Sequence, residues 1–132
     1  HTEMEYSVPA EVGPVCFNAI RTLIASSFPE LEWPLEYRNV AQDDVWMSPA
    51  NGRPTVTISV HQAHGLADEP LFRACEEIFV NAGGRPHWGK VHFLNSSVLR
   101  PAHRDWDAWW AVRDRLDPQG RFVTSHLEQL RG

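Results

Sequence analysis

Clustered positive charge is absent from this sequence. It has 12 lysine and arginine residues and 17 aspartate and glutamate residues, which gives a formal net charge of −5, and no basic run occurs. Because nucleic-acid binding depends on a basic patch or stripe, we expect no nucleic-acid partner. The sequence also lacks a signal-peptide pattern and an apolar run of the ~20 residues that a membrane span requires. We therefore expect no membrane span and a cytoplasmic location.

Cysteine is scarce as well. Cys16 and Cys75 are the only two, and each falls inside an apolar pattern with helical spacing. Cysteines in such positions are more often small core residues than partners in a disulfide. We expect both to be buried thiols, which fits a reducing compartment.

Several catalytic motifs are missing. The sequence has no G-x-S-x-G, no P-loop and no G-x-G-x-x-G, so a hydrolase elbow and a nucleotide-binding turn find no support. It also has no H-E-x-x-H and no paired C-x-x-C. His61 and His64, with His87 and His92 further on, form only a weak zinc pattern, and we predict no metal site. A histidine-based metalloenzyme stays open as a minor alternative.

Hydrophobic periodicity predicts an α+β fold. Strict alternation with period two predicts strands over residues 3–8, 35–38 and 55–61. Apolar stripes with helical spacing predict helices over residues 15–27, 71–82, 105–116 and 125–130. Residues 41–54 have the composition of a loop, and residues 86–93 that of a short extended segment. This order favours a mainly antiparallel sheet whose helices cover one face.

The sheet face without helices is predicted to be polar. It carries the side chains Glu36, Arg38, Thr57, Ser59 and His61. Glu36 and Arg38 lie two apart in a strand and point the same way, so a carboxylate and a guanidinium could together bind a polyol. A merely solvated face with an exposed ion pair explains the pattern equally well.

Lys90 is the only lysine among the 12 basic residues, and it follows His87, Trp88 and Gly89. A lysine offers a compact ammonium whose pKa depends on burial, which arginine does not. The neighbouring Gly89 would let the backbone approach a flat ligand closely. Taken alone, a surface lysine after a turn is the more common explanation.

Short motifs in a fixed order run through nearly the whole chain. They are E-M-E-Y-S-V-P at 3–9, E-Y-R at 36–38, D-D-V-W-M-S-P at 43–49, S-V-H at 59–61, G-G-R-P-H-W-G-K at 83–90 and L-D-P-Q-G-R-F at 116–122. In this order the sequence resembles the C-terminal region of aldonolactone oxidases and alditol oxidases, within the vanillyl-alcohol-oxidase flavoprotein superfamily. G-R-P-H-W-G-K is the most specific of these motifs, whereas L-D-P-x-G-x-F occurs across flavin oxidases.

The resemblance implies two domains with different roles. In these flavoproteins an N-terminal region binds FAD, and a cap domain covers the isoalloxazine ring. Residues 1–94 correspond to the C-terminal part of the cap, and residues 95–132 to a helical tail that returns to the FAD-binding domain. The sequence starts directly in a strand and without methionine, so we expect a fragment that is inactive alone, because the FAD-binding region is missing.

The resemblance also implies roles for individual residues. The family transfers a hydride from a carbon bearing a hydroxyl to flavin N5, and dioxygen or another oxidant then accepts the electrons. Glu36, Arg38, Ser59 and His61 are expected to bind a sugar lactone or polyol, with Glu36 and Arg38 also counted as catalytic. Lys90, also catalytic, is expected near the flavin N1–C2 carbonyl edge, with His87 lining the same cofactor site. Alditol oxidases carry His and Thr on the third strand, so Ser59 and His61 favour a 1,4-lactone. The alternative from another class is a stand-alone α+β protein-binding or dimerisation module.

Overall fold

The computed structural model describes residues 1–132 and has the predicted α+β fold. The strands are β1 (Thr2–Pro9), β2 (Glu36–Val40), β3 (Thr55–Gln62) and β4 (Arg85–Pro86). The α-helices are α1 (Gly13–Ser27), α2 (Glu69–Asn81), α3 (Ser96–Ala102), α4 (Trp106–Leu116) and α5 (Ser125–Arg131). None of these helices is both long and apolar enough to cross a membrane.

The four strands form one antiparallel sheet in the order β2-β3-β1-β4. β1 and β3 pair along their whole length, with Glu5 opposite Ser59, and β2 adds Glu36 on the other side of Ser59. Because side chains alternate between the two faces of a strand, this register sets which residues share a face.

The apolar face of the sheet packs against α1 and α2, as expected for helices on one face. Its core consists of buried side chains from two strands and two helices: Met4, Tyr6, Val8, Cys16, Ile20, Val56, Ile58, Val60, Leu71, Phe72, Cys75 and Phe79. Tyr6 and Phe79 stack with ring centroids 4.9 Å apart. Both cysteines are buried free thiols, which confirms their predicted place in the core.

The end of α2 follows from its two glycines. Gly83 has a positive φ of 70°, the conformation that favours glycine at a helix C-terminus. A Cβ on Gly84 would lie 2.7 Å from the Phe79 carbonyl oxygen, so only glycine fits there. The chain can therefore turn sharply into β4, which pairs with β1 at Tyr6 and Ser7.

A second, smaller cluster joins the C-terminal helices to the loops of the sheet. Its buried members are Leu99, Trp106, Trp110 and Leu130. Trp88 packs against this cluster, and its indole Nε1–H donates to the Met47 carbonyl at 2.8 Å. The turn before Lys90 is thus fixed to the 43–49 loop. The predicted domain boundary at residue 94 remains a prediction.

Three details differ from the sequence-based expectations. β2 runs over Glu36–Val40 rather than 35–38, and β4 is only two residues long and includes only Pro86 of the expected extended segment 86–93. α3 was not expected, because it is short and contains Pro101. The Asn95 side chain starts this helix by accepting a hydrogen bond from the Ser97 amide at 3.0 Å.

A buried carboxylate ties three parts of the fold together. Glu76 Oε1 accepts from the Tyr6 hydroxyl at 2.6 Å and from the Phe93 amide at 2.8 Å. Glu76→Ala would leave two buried donors without partners, so we expect a loss of about 2–4 kcal/mol in the free energy of unfolding. Urea denaturation measures this loss. The exposed neighbour is the matched control, since Glu77→Ala should change stability by less than about 0.5 kcal/mol. Equal losses in the two variants would contradict the assignment.

His103 makes the fold sensitive to acid. Its ring is buried against Trp88, 5.3 Å away between centroids, and burial, reinforced by the charges of Arg85 and Arg53, lowers its pKa to about 4. Between pH ~6.5 and ~4 the unfolded chain binds a proton on His103 that the folded chain does not. The neutral His103 therefore contributes fully to the free energy of unfolding above pH ~6.5. This contribution is lost as the pH falls, by up to about 3 kcal/mol.

His103→Phe keeps an aromatic ring and removes the titrating group. We expect urea denaturation at pH 7 and pH 4.5 to show a smaller acid-induced loss of stability in this variant than in the wild type. His64→Ala, in an exposed turn, should retain the wild-type loss. A wild-type loss in His103→Phe would exclude this histidine as the cause.

Candidate active site

The polar face of the sheet gathers the side chains that the alternation predicts. Glu36 and Arg38 of β2 lie beside Ser59 and His61 of β3, and the pairing of β3 with β1 adds Glu3 and Glu5. Glu36, Arg38 and His61 line one polar region, and the buried Ser59 lies beside Arg38 on the same face, as the register requires. The expectation that these four share a face is therefore confirmed.

Arg38 connects the three strands on this face. Its Nη2 donates to Glu5 Oε2 at 2.8 Å and to Ser59 Oγ at 3.1 Å, while Nη1 lies 3.2 Å from Glu36 Oε2. Ser59 is fully buried, and its hydroxyl donates to Glu5 Oε2 at 3.1 Å. The guanidinium is about half exposed, so its free N–H groups can still reach a ligand.

Lys90 is held against β1 by the backbone around it. The amides of His87 and Val91 donate to the carbonyls of Glu5 and Glu3, at 2.9 and 3.0 Å. This places the Lys90 ammonium in direct contact with the Glu3 carboxylate. Burial opposes ionisation of Glu3, but the hydrogen bond and charge of Lys90, helped by His61, hold the pKa of Glu3 below its usual value.

The orientation of His61 is set by the loop before β2. Its Nδ1 lies 3.1 Å from the Pro34 carbonyl oxygen, which can only accept, so Nδ1 carries the hydrogen. The other ring nitrogen, Nε2, then faces Glu3 Oε1 at 3.6 Å. His61 is buried, and its ring is therefore fixed on both sides.

These groups line an open cleft of about 300 Å³. The cleft is lined by His1, Glu3, Glu5, Trp33, Pro34, Glu36, Arg38, His61 and Lys90. Three carboxylates and two cations give it a formal charge of −1 with neutral histidines. Such a mixture of donors and acceptors suits a neutral polyhydroxy compound better than an anion.

Not every residue predicted for the site reaches the cleft. The His87 side chain is exposed, its Nδ1 accepts from the Gly89 amide at 3.0 Å, and it is not among the residues that line the cleft. The histidines of the weak zinc pattern are separate, since His92 is near His126, with centroids 5.6 Å apart, and His64 lies in an exposed turn.

Glu3 and Glu5 also belong to the site, although they were not predicted as site residues. Both alternate with the apolar residues of β1, which predicts that they lie on the polar face of the sheet. Nothing in the sequence, however, shows that β1 lies next to β3 in the middle of the sheet. His1 and Trp33 were not predicted either; their rings pack at a tilt of 33°, with centroids 4.7 Å apart, where they line the cleft.

A second groove, of about 390 Å³, lies between the 45–49 loop and the C-terminal helices. It is lined mainly by apolar side chains, among them Met47, Trp88, Trp109, Trp110 and Leu130. Few hydrogen-bonding groups face it, so it offers a sugar much less than the polar cleft does.

Comparison with known proteins shows the family to which this chain belongs, whose relatives are named as oxidoreductases of sugar lactones and alditols. The profile of the family described as D-arabinono-1,4-lactone oxidase matches residues 1–130. The chain is 41% identical over 131 residues to L-gulono-1,4-lactone dehydrogenase of Mycobacterium tuberculosis, covering 99% of the chain and 31% of that protein.

Two further relatives point to the same class. Alditol oxidase of a Streptomyces species is 30% identical over 129 residues, which cover 97% of the chain and 31% of that protein. L-gulonolactone oxidase of Mus musculus is 31% identical over 133 aligned residues, which cover 96% of the chain and 30% of that protein. The chain belongs to the D-arabinono-1,4-lactone oxidase family. It spans about 31% of the length of its mycobacterial relative.

Proposed function

We propose that this chain forms the substrate-binding part of an FAD-linked oxidoreductase that oxidises a CH–OH group of a sugar 1,4-lactone, with an alditol as the second substrate class. The observation that supports this most is the cleft on the polar sheet face, where Arg38 joins Glu5, Ser59 and Glu36 while Lys90 contacts Glu3. In a member of this family, such a set of fixed donors and acceptors matches the hydroxyls of a sugar.

The charges of the cleft favour a neutral substrate. Each cation already has a carboxylate partner, Lys90 with Glu3 and Arg38 with Glu5, so an anionic sugar acid would find no unpaired cation. A lactone or polyol instead needs acceptors for its hydroxyl hydrogens and donors for its oxygens. Glu36, whose side chain is about half exposed, accepts from a substrate hydroxyl, and Arg38 donates to a neighbouring hydroxyl or to the lactone oxygen.

The residues around Lys90 fit a flavin. Its side chain is 32% exposed and its ammonium is fixed at the edge of the cleft, where a flat, electron-rich ring edge can approach. FAD supplies the acceptor for the hydride that leaves the substrate carbon. With FAD bound, the Lys90 ammonium would stabilise negative charge on the ring, because a preorganised ammonium needs no reorientation during the reaction. His87, exposed beside the same turn, would contact the cofactor from outside the cleft.

We further propose that most of the FAD contacts come from residues outside this chain. The chain accounts for 31% of the mycobacterial relative, and its polar cleft is open on one side. On this proposal the 132-residue chain alone is colourless and does not oxidise aldonolactones. The electron acceptor is dioxygen or another oxidant.

Lys90→Met tests the role of the ammonium. In a flavin-loaded enzyme that contains this chain, we expect the variant to remain folded, with some loss of stability because Glu3 loses its partner. We expect it to reduce its flavin about 10²–10³ times more slowly when L-gulono-1,4-lactone is added. Anaerobic stopped-flow absorbance measures this rate. Lys90→Arg should recover little activity, because a planar guanidinium cannot occupy the place of a compact ammonium.

Arg73→Met is the matched control. Arg73 is an exposed cation on α2, which packs on the face of the sheet opposite the cleft. It pairs with Glu69 and lies over the Phe93 ring, 4.1 Å from the centroid, and its loss should leave flavin reduction unchanged. A normal reduction rate in Lys90→Met would remove Lys90 from the mechanism.

A further inference from the structure

Three ligand groups of a kind that binds zinc meet at the mouth of the cleft. They are the imidazoles of His1 and His61 and the carboxylate of Glu3, each with one ligand atom within 4.8 Å of the others. His61 Nε2 lies 3.6 Å from Glu3 Oε1, and His1 Nε2 lies 3.8 Å from Glu3 Oε2. With bonds of ~2.0–2.1 Å and tetrahedral angles, ligand atoms around Zn²⁺ are about 3.3 Å apart, so only a small closure is needed.

His61 is already oriented as a metal ligand. Its Nδ1–H donates to the Pro34 carbonyl, and the lone pair of a neutral imidazole therefore lies on Nε2, which faces Glu3. A hydrogen bond from the second ring nitrogen to a carbonyl is the usual way in which proteins fix a metal-binding histidine. Without a bridging cation, a bare Nε2 and a carboxylate oxygen would present lone pairs to each other. Either a proton or a metal ion resolves this contact.

The surroundings of these three groups hold the two imidazoles close together. Besides Glu3 itself, the charged side chains of the cleft balance, with Glu5 and Glu36 against Arg38 and Lys90. The indole of Trp33 lies beside both imidazoles, with ring centroids 4.7 Å from His1 and 6.0 Å from His61. The side chain of His1 is 40% exposed, so it can rotate to complete the site. Two nitrogens and one oxygen suit Zn²⁺, whereas Ca²⁺ and Mg²⁺ prefer oxygen ligands alone.

We propose that His1, Glu3 and His61 form a Zn²⁺ site at the mouth of the cleft, with the fourth position open to water or to a hydroxyl group. Zn²⁺ there competes with Lys90 for the charge of the Glu3 carboxylate, because Lys90 contacts Oε2 of the same group whose Oε1 faces His61. Bound metal would therefore weaken the contact between Lys90 and Glu3 and occupy part of the cleft. The proposed role of Lys90 in catalysis is not needed for the site itself.

Calorimetric titration of the 132-residue chain with ZnCl₂ in a non-chelating buffer tests the site. We expect one equivalent of Zn²⁺ to bind. His1→Ala, Glu3→Gln and His61→Ala should each weaken binding by roughly 10–100-fold or more, because even the loss of a residue that only hydrogen-bonds to a metal ligand has an effect of that size. Lys90→Met should strengthen binding, because it removes the competing ammonium. That result would not follow from weak binding to scattered surface histidines.

The controls keep the test independent of folding and of catalysis. His1→Ala changes an exposed side chain, so loss of binding there cannot be blamed on misfolding, and His64→Ala should bind Zn²⁺ like the wild type. The imidazole ¹⁵N signals of His1 and His61 should shift on titration, and those of His64 should not. Wild-type binding in His1→Ala and His61→Ala, or no binding by the wild type, would overturn the proposal, whatever the activity of the flavin-loaded enzyme.

Discussion

The pairing of β1 with β3 in a single register determines both the core and the cleft. With Glu5 opposite Ser59, the apolar phase of both strands faces α1 and α2, while the polar phase faces the opposite side. A slip of one residue would exchange the two faces, burying carboxylates under the helices and exposing the core. Burial of that apolar face therefore selects the register, and the register in turn places Glu3 and Glu5 beside the arginine and histidine of the neighbouring strands.

The cleft is organised by paired charges rather than by isolated ones. Glu3 contacts Lys90 and Glu5 contacts Arg38, although both carboxylates have side chains only 13% exposed. Burying a carboxylate without a cationic partner would destabilise the fold, so within each pair the cation and the carboxylate hold each other in place. The cations are correspondingly fixed before any ligand arrives. Preorganised groups of this kind are what binding and catalysis both require, since they need not reorient at the moment of use.

Local patterns were enough to predict much of this structure. Alternation located the long strands, and the glycines at 83 and 84 marked the end of α2, because both signals depend on neighbouring residues alone. Of the four predicted polar residues of β2 and β3, Glu36, Arg38 and His61 do line one cleft, and Ser59 is buried beside Arg38. The contacts of Lys90 with Glu3 and of Arg38 with Glu5 could not be foreseen, because they join segments far apart in sequence and depend on strand order. His87 shows the converse: its place beside Lys90 in a motif does not bring its side chain into the cleft.

The central claim is that the polar sheet face is a site for a neutral sugar. It is tested most directly by NMR titration of the ¹⁵N-labelled chain with L-gulono-1,4-lactone at millimolar concentration, where weak binding is still visible. The cleft is formed by contacts within the chain, so we expect shifts in the amides of Ser59 and His61 and in the side-chain N–H of Arg38. The indole signals of Trp109 and Trp110, in the apolar groove, should stay unchanged. Shifts confined to that groove, or no shifts at all, would contradict the account.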